Sequence, residues 1–335
     1  MKKYVNLFVF VFMIGACLSQ GRAQTKSAVS YKNPVVDIAM PDPTVIKAAD
    51  GYFYVYATES TRNVPIMKSK DLVEWTYCNT AFTNKTRPRF EPKAGIWAPD
   101  INYINGKYVL YYAMSVWGGE QTCGIGVATA NSPQGPFTDH GKMFRSNEIG
   151  VQNSIDPSLL QYEGRNYLVW GSFRGIYVIE LTADGLSIMS GAKKKRIAGT
   201  AFEAVYIHKH GDYYYMFASI GSCCQGVKST YKVVVGRSKK VWGPYKDKTG
   251  KPMLKNGYSL VIGANDHFVG NGHGSQIIQD DAGQDWLLYH GFSRSTPENG
   301  RILLLDQIKW DQEGWPYVEG GFPSYETQKA PVFNN

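Results

Sequence analysis

The sequence predicts an all-β protein, a five-bladed β-propeller, and three observations carry that expectation. One hairpin phrase returns five times along the 335 residues. Aromatic residues make up 14% of the chain, with 23 Tyr and 8 Trp, a composition that suits pleated, half-buried strands. No segment of helical period and useful length separates the repeats. Five β-repeats of this size suit blades of four strands around a central channel. Two β-sandwiches in tandem are the alternative, but the repeat is single and continuous.

In chain order, the first element is a targeting signal. Lys2 and Lys3 form a basic start, and Leu7 to Leu18 form an apolar run too short for a comfortable membrane span. Two endings are open. Gly21-Arg22-Ala23 before Gln24 is a small-x-small cleavage site, which is preferred here. Ile14-Gly15-Ala16-Cys17 instead resembles a bacterial lipobox, with Cys17 as the lipidated residue. The expected organisation is a signal peptide over 1–23 and one propeller domain over 24–335. The protein would be exported, either secreted, periplasmic or lipid-tethered. No later stretch is long and apolar enough to span a membrane.

The hairpins follow. Asp50-Gly51 precedes Tyr52-Phe53-Tyr54-Val55-Tyr56, and Asn105-Gly106 precedes Lys107-Tyr108-Val109-Leu110-Tyr111. Glu163-Gly164, His210-Gly211 and Ala282-Gly283 open comparable strands. Asp-Gly and Asn-Gly between such runs are hairpin turns, because both residues tolerate positive φ. The five glycines are spaced by 55, 58, 47 and 72 residues, a loose but domain-wide period.

Charge and cysteine content exclude several classes. The formal charge is +8, and Lys193-Lys194-Lys195-Arg196 is its only dense cluster. That cluster reads as a solvated hairpin loop and not as a nucleic-acid site. A mildly basic surface is compatible with acidic polysaccharide around a substrate. Cys78, Cys123, Cys223 and Cys224 show no zinc spacing. Cys223 and Cys224 are neighbours, and a bond between them needs distorted peptide geometry. An exported protein could keep one, and the sequence leaves this open. No nucleotide, flavin or redox motif occurs in a strand-to-helix context.

What precedes each turn points to chemistry. Asp42 lies 9 residues before Gly51, Asp156 lies 8 before Gly164, and Glu203 lies 8 before Gly211. In the other two repeats the corresponding places are Trp97, 9 before Gly106, and His273, 10 before Gly283. Equivalent positions in blades sit at equivalent heights around one axis, so three acids, a Trp and a His are expected at one mouth of the channel. Burying like charges together costs several kcal/mol unless their pKa values separate. Such clusters serve metals or acid–base chemistry. Glycoside hydrolysis needs one carboxyl protonated and one ionised, and a third carboxylate can hold the acid's pKa up. A metal cage is the rival reading; only His273 accompanies the acids, so a calcium held mostly by waters, with His273 at or near it, is the form it would take.

These residues resemble a known family. Pro41-Asp42-Pro43-Thr44-Val45-Ile46, Trp97-Ala98-Pro99-Asp100, Ser154-Ile155-Asp156-Pro157-Ser158 and Phe202-Glu203-Ala204 are similar to the motifs of glycoside hydrolase family 43. The likeness runs from about Asn33 to about Pro323. It is nearest to the α-1,5-arabinanases in Leu168-Val169-Trp170-Gly171-Ser172-Phe173, in Cys223 to Ser238, and in Gly272-His273-Gly274-Ser275 with Tyr289-His290. The resemblance implies an inverting hydrolase of arabinan; a monomer is expected. Asp42 is then the general base, Glu203 the general acid, and Asp156 the residue that orients the acid and raises its pKa. It also implies a calcium-type ion near His273, and substrate contacts from Trp97, Trp117, Ser154 and Phe173.

The sequence departs from the arabinanases at three places. Pro41 stands where they usually carry His, Gly274 where they usually carry Asn, and Ser293-Arg294-Ser295 differs. These changes bear on endo-action. An exo-acting α-L-arabinofuranosidase or β-xylosidase of the same family, and a non-catalytic glycan-binding propeller, are the alternatives. A fructan-cleaving propeller fits less well, because the chain has Ile155-Asp156-Pro157 and Glu203-Ala204 where those enzymes carry Arg-Asp-Pro and Glu-Cys.

Overall fold

The computed structural model describes Met1 and residues 29–334. Cys17, both processing sites and nearly all of the expected signal peptide lie outside the described residues. No helix among the described residues is long and apolar enough to cross a membrane.

Five antiparallel sheets follow one another around an axis, each formed by consecutive strands. The first blade comprises Thr44–Lys47, Phe53–Tyr56, Pro65–Ser69 and Thr76–Thr80. The second runs through Gly95–Ile104, Lys107–Ser115, Gly124–Ala130 and Thr138–Arg145. The third holds Ser158–Tyr162, Arg165–Trp170, Ile176–Glu180 and Lys195–Ala198. The fourth holds Glu203–His210, Tyr213–Ile220, Lys232–Ser238 and Ser259–Ile262. The fifth is less regular: Phe268–Gly272 and the short Ile278–Gln279 both pair with Asp285–Ser293, followed by Ile302–Trp310 and Pro316–Tyr317. The turn glycines sit where the repeats place them; Gly51 and Gly106 have φ of 83° and 82°, which a side chain would strain.

Strand alternation explains why the blades face each other. Each blade buries both faces, so its neighbours supply the core. Five apolar clusters fill the five gaps. Tyr56 and Tyr112 meet between blades one and two, and Tyr111 and Trp170 between two and three. Val178 and Met216 meet between three and four, Phe217 and Tyr289 between four and five. Val55 and Leu303 close the ring between five and one. A fully buried side chain of this kind contributes about 1.5–3 kcal/mol.

The segment before the first blade fastens that closure. Ser30–Tyr31 pairs with Gln328–Lys329, and Val36 bridges Leu303. Asn33 is buried and brackets one residue of the fifth blade. Its Nδ2 donates to the Leu305 carbonyl at 2.9 Å, and its Oδ1 accepts from the Leu305 N–H at 2.9 Å. The same Nδ2 also reaches Asp306 and Ser324.

One backbone feature sets the height of the site. At the axial end of every blade one non-glycine residue has a left-handed backbone: Asp42 (φ 54°), Ala98 (41°), Asp156 (54°), Ala204 (53°) and His273 (50°). In blades two and four the inner strand begins before this kink, and its pairing slips between Trp97 and Asp100 and between Glu203 and Tyr206. These are β-bulges, each inserting an unpaired residue. The expected equivalence of Asp42, Trp97, Asp156, Glu203 and His273 is therefore corrected. Trp97 and Glu203 stand one residue before the kink. Counting back from the hairpin turn cannot detect a residue inserted by a bulge.

Removing the Asn33 bracket leaves the Leu305 N–H without its partner. Asn33→Ala should lower unfolding stability by about 1–3 kcal/mol, read as a lower urea midpoint with an unchanged slope. An unchanged midpoint would show that the ring closes without it.

Candidate active site

The three acids and His273 do converge. Asp42, Asp156, Glu203 and His273 line one pocket of about 410 Å³ at the axial mouth, with Trp97, Trp117 and Phe173 on its wall. All three carboxylates are buried, between 7% and 8% exposed.

Asp42 sits among donors. Oδ1 accepts from Arg301 Nη1 at 2.7 Å and lies 3.2 Å from His273 Nδ1, while Oδ2 accepts from the Thr58 hydroxyl at 2.6 Å. Burial alone would raise this carboxyl; Arg301 and then His273 outweigh it and hold it well below the usual carboxylate range. His273 is pushed the other way. Its burial favours the neutral ring, but Asp42 beside it raises its pKa. His290 is different again. Its Nδ1 accepts from the Asp42 N–H at 3.0 Å, so the ring is neutral with the proton on Nε2. Burial first, then Arg301, keeps it so.

At Asp156 and Glu203 burial outweighs the His273 charge. Burial pushes Asp156 up to about 8, opposed by His273 and reinforced by Glu203 and Asp42. Glu203 is also raised, chiefly by burial, although hydrogen bonds from Ser172 and Tyr231 oppose the rise. The Ser172 hydroxyl donates to Glu203 Oε2 at 2.6 Å, and the Ala204 N–H donates to Asp156 Oδ2 at 3.1 Å. Both carboxyls are thus pushed toward the protonated form. The mouth therefore holds one carboxyl kept ionised and two pushed toward protonation. That is the division of labour acid–base hydrolysis requires.

A small cavity of about 20 Å³ lies on the axis among the inner strands, lined by Thr44, Asp100, Asp156, Ser158, His273 and Gln276, among others. It has room for one water or ion. Asp100 is pushed up to about 6, mainly by burial and against the Leu159 N–H that donates to it at 2.7 Å. Carboxylates, hydroxyls and an amide form an oxygen-rich donor set, which fits a hard cation of the calcium type.

The aromatic residues separate into two groups. Trp117 is 79% exposed, and its ring centroid lies 5.6 Å from that of the half-buried Trp97. Phe173, with φ of 50°, faces the same pocket. Ser154 does not. It is fully buried, its hydroxyl donates to the Val151 carbonyl at 2.7 Å and accepts from Trp170 Nε1 at 3.1 Å, and it lines no part of the pocket. The expected substrate contact is replaced by a packing role. Cys223 and Cys224 are bonded to each other, and both lie on the pocket wall.

Sequence reasoning missed Arg301, Thr58, Ser172 and Tyr231. Arg301 lies 259 residues from Asp42 in the chain and carries no motif. Thr58 and Ser172 each lie two residues past the end of a second strand, a place the repeats mark but whose chemistry they do not.

Residues 31–316 match the family described as Glycosyl hydrolases family 43. The extracellular exo-α-(1→5)-L-arabinofuranosidase ArbA of Cellvibrio japonicus is 36% identical over 317 residues, which is 86% of this chain and 89% of that protein. The extracellular endo-α-(1→5)-L-arabinanase 1 of Bacillus subtilis is 36% identical over 289 residues, 82% of this chain and 86% of that one. An α-L-arabinanase of Cellvibrio cellulosa, solved in complex with arabinohexaose, superposes with a TM-score of 0.78 at 34% identity, over 87% of this chain and 99% of that one.

Ser154→Ala tests the packing role. It leaves Trp170 Nε1 buried and unpaired, so stability should fall by about 1–3 kcal/mol while KM for the substrate stays at the wild-type value. A raised KM with an unchanged melting temperature would restore Ser154 as a substrate contact.

Proposed function

The chain belongs to glycosyl hydrolases family 43, and from that premise we propose that it is an endo-acting, inverting hydrolase of α-1,5-linked L-arabinofuranosyl bonds in arabinan, the side chains of plant pectin. The observation that carries this reading is the electrostatic split: Arg301 and His273 keep Asp42 ionised while burial keeps a proton on Asp156 and Glu203.

In one step, Asp42 takes a proton from a water whose oxygen attacks the anomeric carbon. Glu203 gives its proton to the departing glycosidic oxygen on the opposite side of the sugar. Asp156, itself raised by the charge of Glu203, is assigned to delay loss of that proton until alkaline pH. Trp97, Trp117 and Phe173 supply flat apolar surface for the arabinofuranose rings. Calcium is the proposed resident ion of the axial cavity, held by Asp100 and Asp156 near His273; when bound, its charge would favour ionised Asp156 and leave the shared proton with Glu203. Export is proposed with this function, supported by the extracellular designation of the two relatives.

A second reading, exo-action from a chain end, has the Cellvibrio japonicus relative in its favour. Early products of linear arabinan separate the two. Endo-action gives a spread of oligosaccharides, whereas exo-action gives one short product from the first minute.

The carboxylates can be tested individually. Glu203→Gln should cost about 10²–10⁴-fold on arabinan and much less on an activated aryl arabinofuranoside, whose leaving group needs little protonation. Asp42→Asn should abolish both activities. Asp156→Asn removes a like charge, so Glu203 ionises at lower pH and the alkaline limb of kcat/KM moves down. Arg301→Gln removes a cation, so Asp42 protonates at higher pH and the acidic limb moves up. Folded variants that all keep near-wild-type rates would leave a glycan-binding propeller as the function.

A further inference from the structure

We propose that His208, His210 and Asp285 form a binding site for a divalent transition-metal ion of the zinc class, between blades four and five and remote from the catalytic mouth. The proposal does not depend on the substrate reading above. His208 and His210 are two residues apart on the inner strand Glu203–His210, so both project from one face of it. Asp285 opens the strand Asp285–Ser293 of the next blade. One ligand atom from each of the three lies within 4.8 Å of the others. The strand begins at Glu203 and rises roughly 3.3 Å per residue, which puts His210 roughly 23 Å from the catalytic acid.

Two observations favour a metal over simple packing. Asp285 is 4% exposed, yet the donors to its oxygens are neutral: Gln279 Nε2 at 3.1 Å and Trp310 Nε1 at 2.8 Å. Its one ion-pair partner among the described residues is His210, with Nδ1 3.7 Å from Oδ2. A buried carboxylate without Lys or Arg calls for compensating charge. Second, the surroundings already hold the ligands in place. The His210 ring stacks on Trp310 at 3.7 Å and 7°, and that same indole donates to Asp285. Outer hydrogen bonds of this kind orient metal-binding carboxylates.

Two imidazoles and one carboxylate select zinc, nickel, cobalt or copper over calcium and magnesium. The axial cavity, with its oxygen donors, would select the reverse. Ligands around tetrahedral zinc stand about 3.4 Å apart, so His210 and Asp285 are nearly in place, and with all three ligand atoms within 4.8 Å of one another His208 has at most about 1.4 Å to close. The His210 side chain is 38% exposed, which leaves a path for the ion and a fourth position for water. Because the ligands come from adjacent blades, a bound ion would clamp the gap between them.

The test uses the full chain, freed of any histidine tag, with zinc competed against a chromophoric chelator. One zinc per chain is expected, not displaced by calcium, with a raised melting temperature because the ion binds the folded state. His208→Gln and His210→Gln should each weaken binding at least tenfold, roughly, and remove the thermal shift, whereas His140→Gln should change neither. Should a variant fail to fold, X-ray absorption of the unmutated zinc-loaded chain decides: two imidazoles with oxygen ligands support the site, and sulfur or oxygen-only ligation overturns it. Absence of zinc binding, or wild-type affinity in both ligand variants, also overturns it.

Discussion

The arrangement depends on a hydrogen bond that recurs where the blades meet the axis. The backbone N–H of the kinked residue of one blade donates to a side chain of the blade before it. Ala98 donates to Thr58 Oγ1 at 2.7 Å, Ala204 to Asp156 Oδ2 at 3.1 Å, and His273 to Ser219 Oγ at 2.8 Å. Asp42 closes the circle by donating to His290 Nδ1 at 3.0 Å. A left-handed backbone at a non-glycine residue costs roughly 1–2 kcal/mol, so the kinks persist only because neighbouring blades hold them. The kink turns Asp42, Asp156 and His273 inward at one height. The same bonds that join the blades therefore assemble the site. A change that loosened one blade interface would displace the chemistry as well as lower stability.

The site separates its carboxyls by where the cations come from. Arg301 and His273 both belong to the fifth blade, and both reach Asp42 across the closure of the ring. The Thr58 hydroxyl adds a bond from the first blade and is itself anchored by Ala98 of the second. Asp156 and Glu203, from the third and fourth blades, feel their own burial more than the His273 charge, so both are raised. One carboxyl held ionised and two pushed toward protonation thus follow from topology. The blade that closes the ring brings Arg301 to the mouth, and Arg301 bonds to Asp42.

The blade count, the turn glycines and the inward set of acids were legible, because a repeat puts equivalent residues in equivalent places. Two kinds of feature were not. The bulges at Trp97 and Glu203 shift register by one residue, and period counting over gaps of 47 to 72 residues is too coarse to see them. Long-range partners were invisible too. Arg301 looks like an ordinary hairpin residue until the ring closes and brings it within 2.7 Å of Asp42. Ser154 failed for the opposite reason: it lies in the Asp156 motif, but in the loop before the third blade its hydroxyl meets the Val151 carbonyl and Trp170 and lines no part of the mouth.

The departures from the arabinanase pattern have a physical reading once the ring is closed. Pro41 stands where a His is usual, so no imidazole adjoins Asp42 from its own segment. Asp42 is nevertheless well supplied with positive charge, because Arg301 and His273 reach it from the fifth blade. Proline also contributes rigidity: its carbonyl accepts from the Thr58 N–H at 2.8 Å, next to the hydroxyl that binds Asp42. At Gly274 a Cβ would stand 3.1 Å from Leu287, so a larger residue there would press on the core between blades four and five. These substitutions leave Asp42, Asp156 and Glu203 in place and change the walls around them. On the proposed roles of the three acids, their consequences fall on which part of the polysaccharide the mouth accepts and not on whether it can be hydrolysed.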